Sequence, residues 1–317
     1  MSTDSSPPSK DESTFRSFTH DQGASYAQHR RDYHPSLYQT ILDHHRSTGG
    51  QFDAILDVGC GPGTATRNLA PHFKHAVGVD ASEGMIATAR SLSNNIHFEV
   101  STVEELGENL ALSSIIPAGS VDLIASANAA HWFDMAVFWA QAAKLLKPGG
   151  SVALWASGSI AVHPELQPGA VGIQAALKRL FERLDEYLLP GNWLTRELYR
   201  GMVMPWVVPG LVDEFEEGSL FRKEWTGIAE VDGSSMFAVD LPANLKSLEM
   251  VLGTTSPVIR WREAHPDESG TERDPVRMMR REMEDALREA GVDSPETTRL
   301  NGGVEGVLLI VKKRREV

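Results

Sequence analysis

The run Asp57-Val-Gly59-Cys-Gly61-Pro-Gly63 joins a carboxylate to three glycines at alternate positions. Glycine has no Cβ, so such a bend lets backbone approach a ligand closely, and a helix starting just beyond it presents unpaired N–H groups. A second acid, Asp80, closes the next apolar run, in position to accept both hydroxyls of a ribose. A glycine bend alone does not choose the ligand, because dinucleotide-binding folds use a related device. That fingerprint needs a small residue where this chain has Thr64, and it puts a pyrophosphate over the helix start. Asp57, two residues before the first glycine, would repel a pyrophosphate and could pair with an ammonium group.

S-adenosylmethionine carries that ammonium on its methionine half and has no phosphate. Asp80 supports a nucleoside without choosing between the two ligands, since nicotinamide enzymes also place an acid there. Cys60, inside the bend, reads as a small residue that fits, because no base stands near it in sequence.

The elements around these residues alternate. Ala54–Val58 is a short apolar strand before the bend, and Thr64 to Phe73 can be helical. His75–Asp80 is a second strand, Ser82 a candidate N-cap, and Gly84 to Ser91 a helix. Ile96–Val100 and Val121–Ala125 read as the third and fourth strands. A helix from Met135 to Leu146 stops at Lys147-Pro-Gly-Gly150, and Ser151–Trp155 is the fifth strand. This predicts an α/β, Rossmann-like, seven-stranded and mostly parallel sheet with helices on both faces, because each right-handed crossover needs a helix to return the chain. Ligands in such sheets bind beyond the carboxyl ends of the strands.

Outside that alternation, Ser25 to His45 reads as one helix and residues 1–14 as a polar, disordered tail. After Trp155, residues 160–222 form an expected helical lid, with Ile173, Leu177, Leu180, Phe181, Leu184 and Leu188 at helical period. The remainder, 223–317, reads as strand material from Glu224 to Val239, a helix from Ala243 to Leu252, a charged surface helix from Asp274 to Ala290 covering the sheet, and a last strand, Gly306–Val311. Core motifs 54–155, lid and C-terminal elements are expected to make one domain, 15–317.

Composition limits the function. A net charge of −13 disfavours nucleic acid, which needs clustered cations; the Lys312–Arg315 run reads as a solvated strand end. One cysteine, no zinc spacing, no apolar leader and no stretch of eighteen apolar residues predict a cytoplasmic protein with no metal and no membrane partner. Nothing here predicts an oligomeric state.

The segments ILDVGCGPGTAT, HAVGVDASEGMIATAR and LLKPGGSVALW lie in order across Ala54 to Trp155. In that order they resemble class I S-adenosylmethionine-dependent methyltransferases. More narrowly, Tyr26-x-x-x-Arg30-x-x-Tyr33, Ala130-His-Trp-Phe133 and Thr255-Ser-Pro-Val-Ile-Arg-Trp-Arg262 resemble the type 11 group that includes fungal trans-aconitate methyltransferases. The chain departs from that pattern in having Arg31 and His34 where the group has prolines, and Thr102 where an acid is frequent.

The resemblance implies a cofactor site of Tyr26, Arg30, Asp57, Gly59, Gly61, Gly63, Asp80, Ala81, Met85, Thr102, Val103, Glu104 and Asn128. Adenine would rest on backbone at Thr102 and Val103, with Glu104 nearby. His131 would orient the acceptor or remove its proton, and Trp132, Trp155 and Arg260 would contact the acceptor. The implied activity is methyl transfer to a small molecule, preferably a carboxylic acid such as trans-aconitate, giving a methyl ester. The alternatives are O-, N- or C-methylation of a secondary metabolite and, from another class, a non-catalytic S-adenosylmethionine-binding partner protein; a nicotinamide oxidoreductase is the least favoured.

Overall fold

In the computed structural model, residues 18–29, 32–106, 110–211, 213–228, 237–238 and 244–315 are described. The expected tail, residues 1–14, and Arg30 with Arg31 lie outside them.

The chain opens with α1 (His20–His29) and α2 (Pro35–Ser47), where one helix was expected. Pro35 is the reason. It has no N–H to donate and disfavours helical backbone at His34, which is extended (φ −63°, ψ 140°) and caps α2 through Nδ1. The alternating core follows as β1 (Ala54–Val58), α3 (Thr64–Leu69), β2 (His75–Asp80), α4 (Glu83–Leu92), β3 (His97–Val100), α5 (Leu110–Ser113), β4 (Val121–Ala127), α6 (Met135–Leu145) and β5 (Leu146–Val162). Ser82 caps α4, accepting from Met85 N–H at 3.3 Å, and Asp134 caps α6 through Ala136 and Val137. Beyond β5 come α7 (Ala170–Arg183), α8 (Pro190–Arg196), β6 (Phe215–Thr226), α9 (Leu245–Leu252), α10 (Ser256–Ala264), α11 (Pro275–Glu289) and β7 (Gly302–Lys313).

Among the described residues, seven strands form one sheet in the order β3-β2-β1-β4-β5-β7-β6. β7 runs antiparallel to both of its neighbours and the other pairings are parallel. Side chains of successive strand residues face opposite sides. Leu56, Val58, Val152 and Leu154 therefore join the core beneath α6, while Ile55, Ala153 and Trp155 join the one beneath α2 and α3.

β5 is much longer than Ser151–Trp155. Its ladder with β7 continues past a register shift to Val162↔Gly302, so the pair extends beyond the ends of β1 and β4. Gly158 and Ser159 fall in the register shift, where the Ser157 N–H donates to Asn128 Oδ1 at 2.8 Å and the Ser159 N–H to Glu305 Oε2 at 3.2 Å.

The lid boundaries also differ. Residue 222 falls inside β6, so the helical segment between β5 and β6 ends before Phe215. The expected strand to Val239 ends at Thr226, and residues 229–236 lie outside those described. Nor is α11 a sheet-covering helix. Its expected stripe, Val276, Met279, Met283 and Leu287, is buried, but against α7 and α9 in a third core with Leu180, Leu248 and Trp261. The roof is built from both sides of β6 in sequence.

Candidate active site

A cavity of about 670 Å³ lies between the carboxyl ends of β1, β2 and β4 and the helical layer above them. That size is in the upper half of the range for small-molecule sites.

Its floor is the glycine bend. Gly59 and Gly61 line it with φ of 69° and 54°, a backbone region that L side chains rarely adopt. A Cβ on Gly59 would collide with the Ala129 methyl and the Phe133 ring, whereas one on Gly61 would meet no protein atom within 4 Å. Gly61 is therefore bare toward the ligand space. Gly63 is not at the cavity. It caps α3 in left-handed backbone (φ 78°), and a Cβ there would lie 2.7 Å from the Phe98 ring.

The Asp80 carboxylate stands at the rim, fixed by N–H groups of Gly61 and Ser82, each at 2.9 Å. Ala81, Met85, Thr102, Val103 and Glu104 continue that wall, and Tyr26 reaches it from α1. The Thr102 N–H already donates to Glu105 at 3.2 Å. Among the described lining residues this half holds the acids Asp80 and Glu104 and no Lys or Arg.

Asp57 lies one layer below. It is fully buried, with Oδ2 accepting from Thr66 Oγ1 at 2.6 Å and Oδ1 without a hydrogen-bond partner. Burial pushes its carboxyl up to about 7, with the Asp80 charge adding and the Thr66 hydrogen bonds opposing. Burial also pushes the Cys60 thiol up, which keeps it a neutral packing group.

The opposite wall follows β4. Asn128 has positive φ (52°) and ties three segments together: its amide donates to Tyr33 Oη at 2.9 Å, and its Oδ1 accepts from the Ser157 N–H at 2.8 Å. His131 and Trp132 line the cavity from the short turn after it. Gly191 at the start of α8 sits against that turn, where a Cβ would meet Trp132 at 2.5 Å and the His131 carbonyl at 2.6 Å. His131 Nδ1 is 3.0 Å from Tyr199 Oη. A neutral ring that accepts the phenolic hydrogen at Nδ1 carries its own proton on Nε2.

Two expected acceptor contacts are elsewhere. Trp155 is fully buried beneath Tyr33, ring centroids 5.7 Å apart, because its register puts it on the α2–α3 face. Arg260 is spent inside the roof, donating to the Tyr187 carbonyl (2.7 Å) and Asn192 Oδ1 (2.8 Å). Its neighbour Arg262 pairs with buried Asp274 at 2.7 Å. From the same motif it is Thr255, Ser256 and Pro257 that line the cavity.

Arg196, Ser157, Gly158 and Tyr33 also line it, none of them among the expected contacts. Tyr33 alone had a signal, as the last residue of the N-terminal motif. Among the described residues no group of three His, Cys, Asp or Glu could hold a metal, and no helix is long and apolar enough to cross a membrane.

Residues 56–154 match the family model described as "Methyltransferase domain". The chain is 32% identical over 179 residues to methyltransferase cfoB of Aspergillus candidus, covering 55% of this chain and 53% of that protein. It is 37% identical over 134 residues to a Dictyostelium discoideum protein provisionally named a methyltransferase, covering 42% and 46%. The chain thus spans about half the length of these relatives. A solved structure from Anaeromyxobacter dehalogenans, titled as a type II methyltransferase, superposes with a TM-score of 0.57 at 24% identity, covering 90% of this chain and 97% of that one, and shares the fold.

The stretch that matches a methyltransferase domain, residues 56–154, folds as a Rossmann-like core with the glycine bend after its first strand. The cofactor of such domains is S-adenosylmethionine. The residues present fit that cofactor: an acid-lined, cation-free half suits a cationic nucleoside without phosphate, and the orphaned Asp57 oxygen lacks the partner that a cation supplies.

Proposed function

We propose that the chain transfers the methyl group of S-adenosylmethionine to a small molecule held under the helical roof, with residues 15–317 acting as one unit. The observation that carries this reading is the acid-lined glycine-bend half of the cavity, with Asp80 fixed by two backbone N–H groups. A pyrophosphate would meet repulsion there, which leaves a nicotinamide dinucleotide unsupported.

Asp80 would take the ribose hydroxyls, Gly59 and Gly61 the close backbone approach, Asp57 the ammonium side, and Tyr26, Ala81, Met85, Thr102, Val103, Glu104 and Asn128 the remaining cofactor contacts. When bound, the cofactor supplies an electrophilic methyl carbon on a sulfonium. The acceptor's lone pair forms the new bond as the carbon–sulfur bond breaks, leaving S-adenosylhomocysteine. The protein's part is alignment and exclusion of water, and orientation of this kind lowers barriers by about 7–11 kcal/mol at best. His131, held by Tyr199 at Nδ1, would present Nε2 to the acceptor and orient it or remove its proton; Trp132 would wall the acceptor beside it.

The acceptor we propose first is a carboxylic acid yielding a methyl ester, since a carboxylate needs no base; trans-aconitate is the compound to try. A second reading, O-, N- or C-methylation of a larger metabolite, is favoured by the roof's apolar lining, which includes Phe181, Leu188, Val251, Leu252 and Pro257. Calorimetry with S-adenosylhomocysteine and NAD tests the cofactor, and methyl-labelled S-adenosylmethionine with a panel of organic acids and phenols tests the transfer. Cofactor binding without transfer to any compound would favour a binding protein instead, and NAD binding would overturn the reading.

A further inference from the structure

The acceptor half of the cavity carries one cationic side chain. Arg196, at the end of α8, is the only Lys or Arg among the described lining residues. Its guanidinium lies 4.4 Å from the Phe181 ring centroid and 5.2 Å from that of Trp193. Stacking on two rings holds the planar group in a fixed orientation without using its N–H donors. Arg196 makes no hydrogen bond or ion pair with any described residue. The nearby Asp185 is exposed and contributes only a long-range charge.

An oriented, half-buried guanidinium with its donors unspent matches the two oxygens of a carboxylate. We propose that Arg196 anchors a carboxylate of the methyl acceptor. The inference rests on the methyltransferase reading and names its substrate class. A carboxylate held in a bidentate pair has its lone pairs engaged and is a poor nucleophile, so the anchor is not the atom methylated. The acceptor is therefore a hydroxy acid or a dicarboxylic acid on an apolar frame.

The test uses the full chain saturated with S-adenosylhomocysteine and two probes that differ only in charge, 3-(4-hydroxyphenyl)propanoate and its primary amide. Calorimetry should show wild type binding the acid at least about 10-fold more tightly than the amide, the scale of a charge-assisted hydrogen bond. In Arg196→Gln the two should bind within about 2-fold of each other, with amide and S-adenosylhomocysteine affinities unchanged, and Arg196→Lys should fall between. Equal binding of acid and amide by wild type, no binding of the acid, or an acid preference that survives in Arg196→Gln overturns the proposal. Failure of wild type to bind S-adenosylhomocysteine overturns the methyltransferase reading itself. Unchanged S-adenosylhomocysteine affinity in the variants shows that they fold.

Discussion

The phenol oxygen of Tyr199 lies 3.0 Å from Nδ1 of His131, a hydrogen bond that holds the imidazole in place at the cavity wall. Tyr199 is 2% exposed and sits, like Leu198 before it, in left-handed backbone (φ 60° and 52°). Two consecutive non-glycine residues in that region are strained, by about 1–3 kcal/mol each. The strained turn delivers the hydroxyl to the site.

Tyr199→Phe should therefore lower kcat more than it changes KM for S-adenosylmethionine. A misaligned ring predicts a loss of roughly 10- to 100-fold. The unpaired Nδ1 should cost about 1–3 kcal/mol of stability. Steady-state kinetics and urea unfolding measure both; unchanged kcat would remove the His131–Tyr199 pair from catalysis.

His131→Gln keeps an N–H donor and His131→Ala does not. If the ring donates to the acceptor, the Gln variant retains several-fold more turnover than the Ala variant, since a charge-assisted donor is worth about 1.5–3 kcal/mol. Equal losses in both would point to proton removal.

Glycine substitutions should separate stability from binding. Gly63→Ala forces Cβ against Phe98, and strain plus overpacking should cost about 2–4 kcal/mol. Gly61→Ala meets no protein atom, so only strain of about 1–2 kcal/mol is expected. Its Cβ projects into ligand space, so S-adenosylhomocysteine affinity should fall further for Gly61→Ala than for Gly63→Ala. Thermal unfolding and calorimetry on the two proteins give the comparison.

Asp57 makes both stability and affinity depend on pH. Its folded value of about 7 lies above the ordinary 3.8, so between these values the folded chain holds a proton that the unfolded chain has released. Stability from this group is thus full below about pH 4 and falls as pH rises to 7, by about 4 kcal/mol in all. His45, buried and held down to about 4, acts in the opposite sense, its contribution rising from pH 4 to 6.5. The difference between wild type and Asp57→Asn isolates Asp57. A cation beside it favours the charged carboxylate, so wild-type affinity for S-adenosylhomocysteine should rise through pH 7, and the Asn variant should lose that dependence. Parallel stability profiles for the two proteins would mean that Asp57 does not titrate there.

The strand–turn–helix alternation from Ala54 to Trp155 was legible because it is local: hydrophobic period, glycine bend and caps are properties of neighbouring residues. The glycine-bend wall of the cavity was legible for the same reason, since Gly59, Gly61, Asp80, Ala81 and Met85 follow one another along two consecutive strand–helix turns. The wall under the roof was not. Arg260 and Trp155 looked available by type, but one is consumed by Tyr187 and Asn192 and the other faces the far side of the sheet.

By itself, then, the amino-acid order determined the sheet's core, the glycine bend and the two acids around it, because short-range backbone geometry and pattern specify them. Only the tertiary structure decided that α11 belongs to the roof and that β5 runs on beyond the sheet. It alone brought Tyr199 to His131 and stacked Arg196 on Phe181 and Trp193. Those relationships join residues far apart in the chain, through packing and hydrogen bonds that no local pattern encodes.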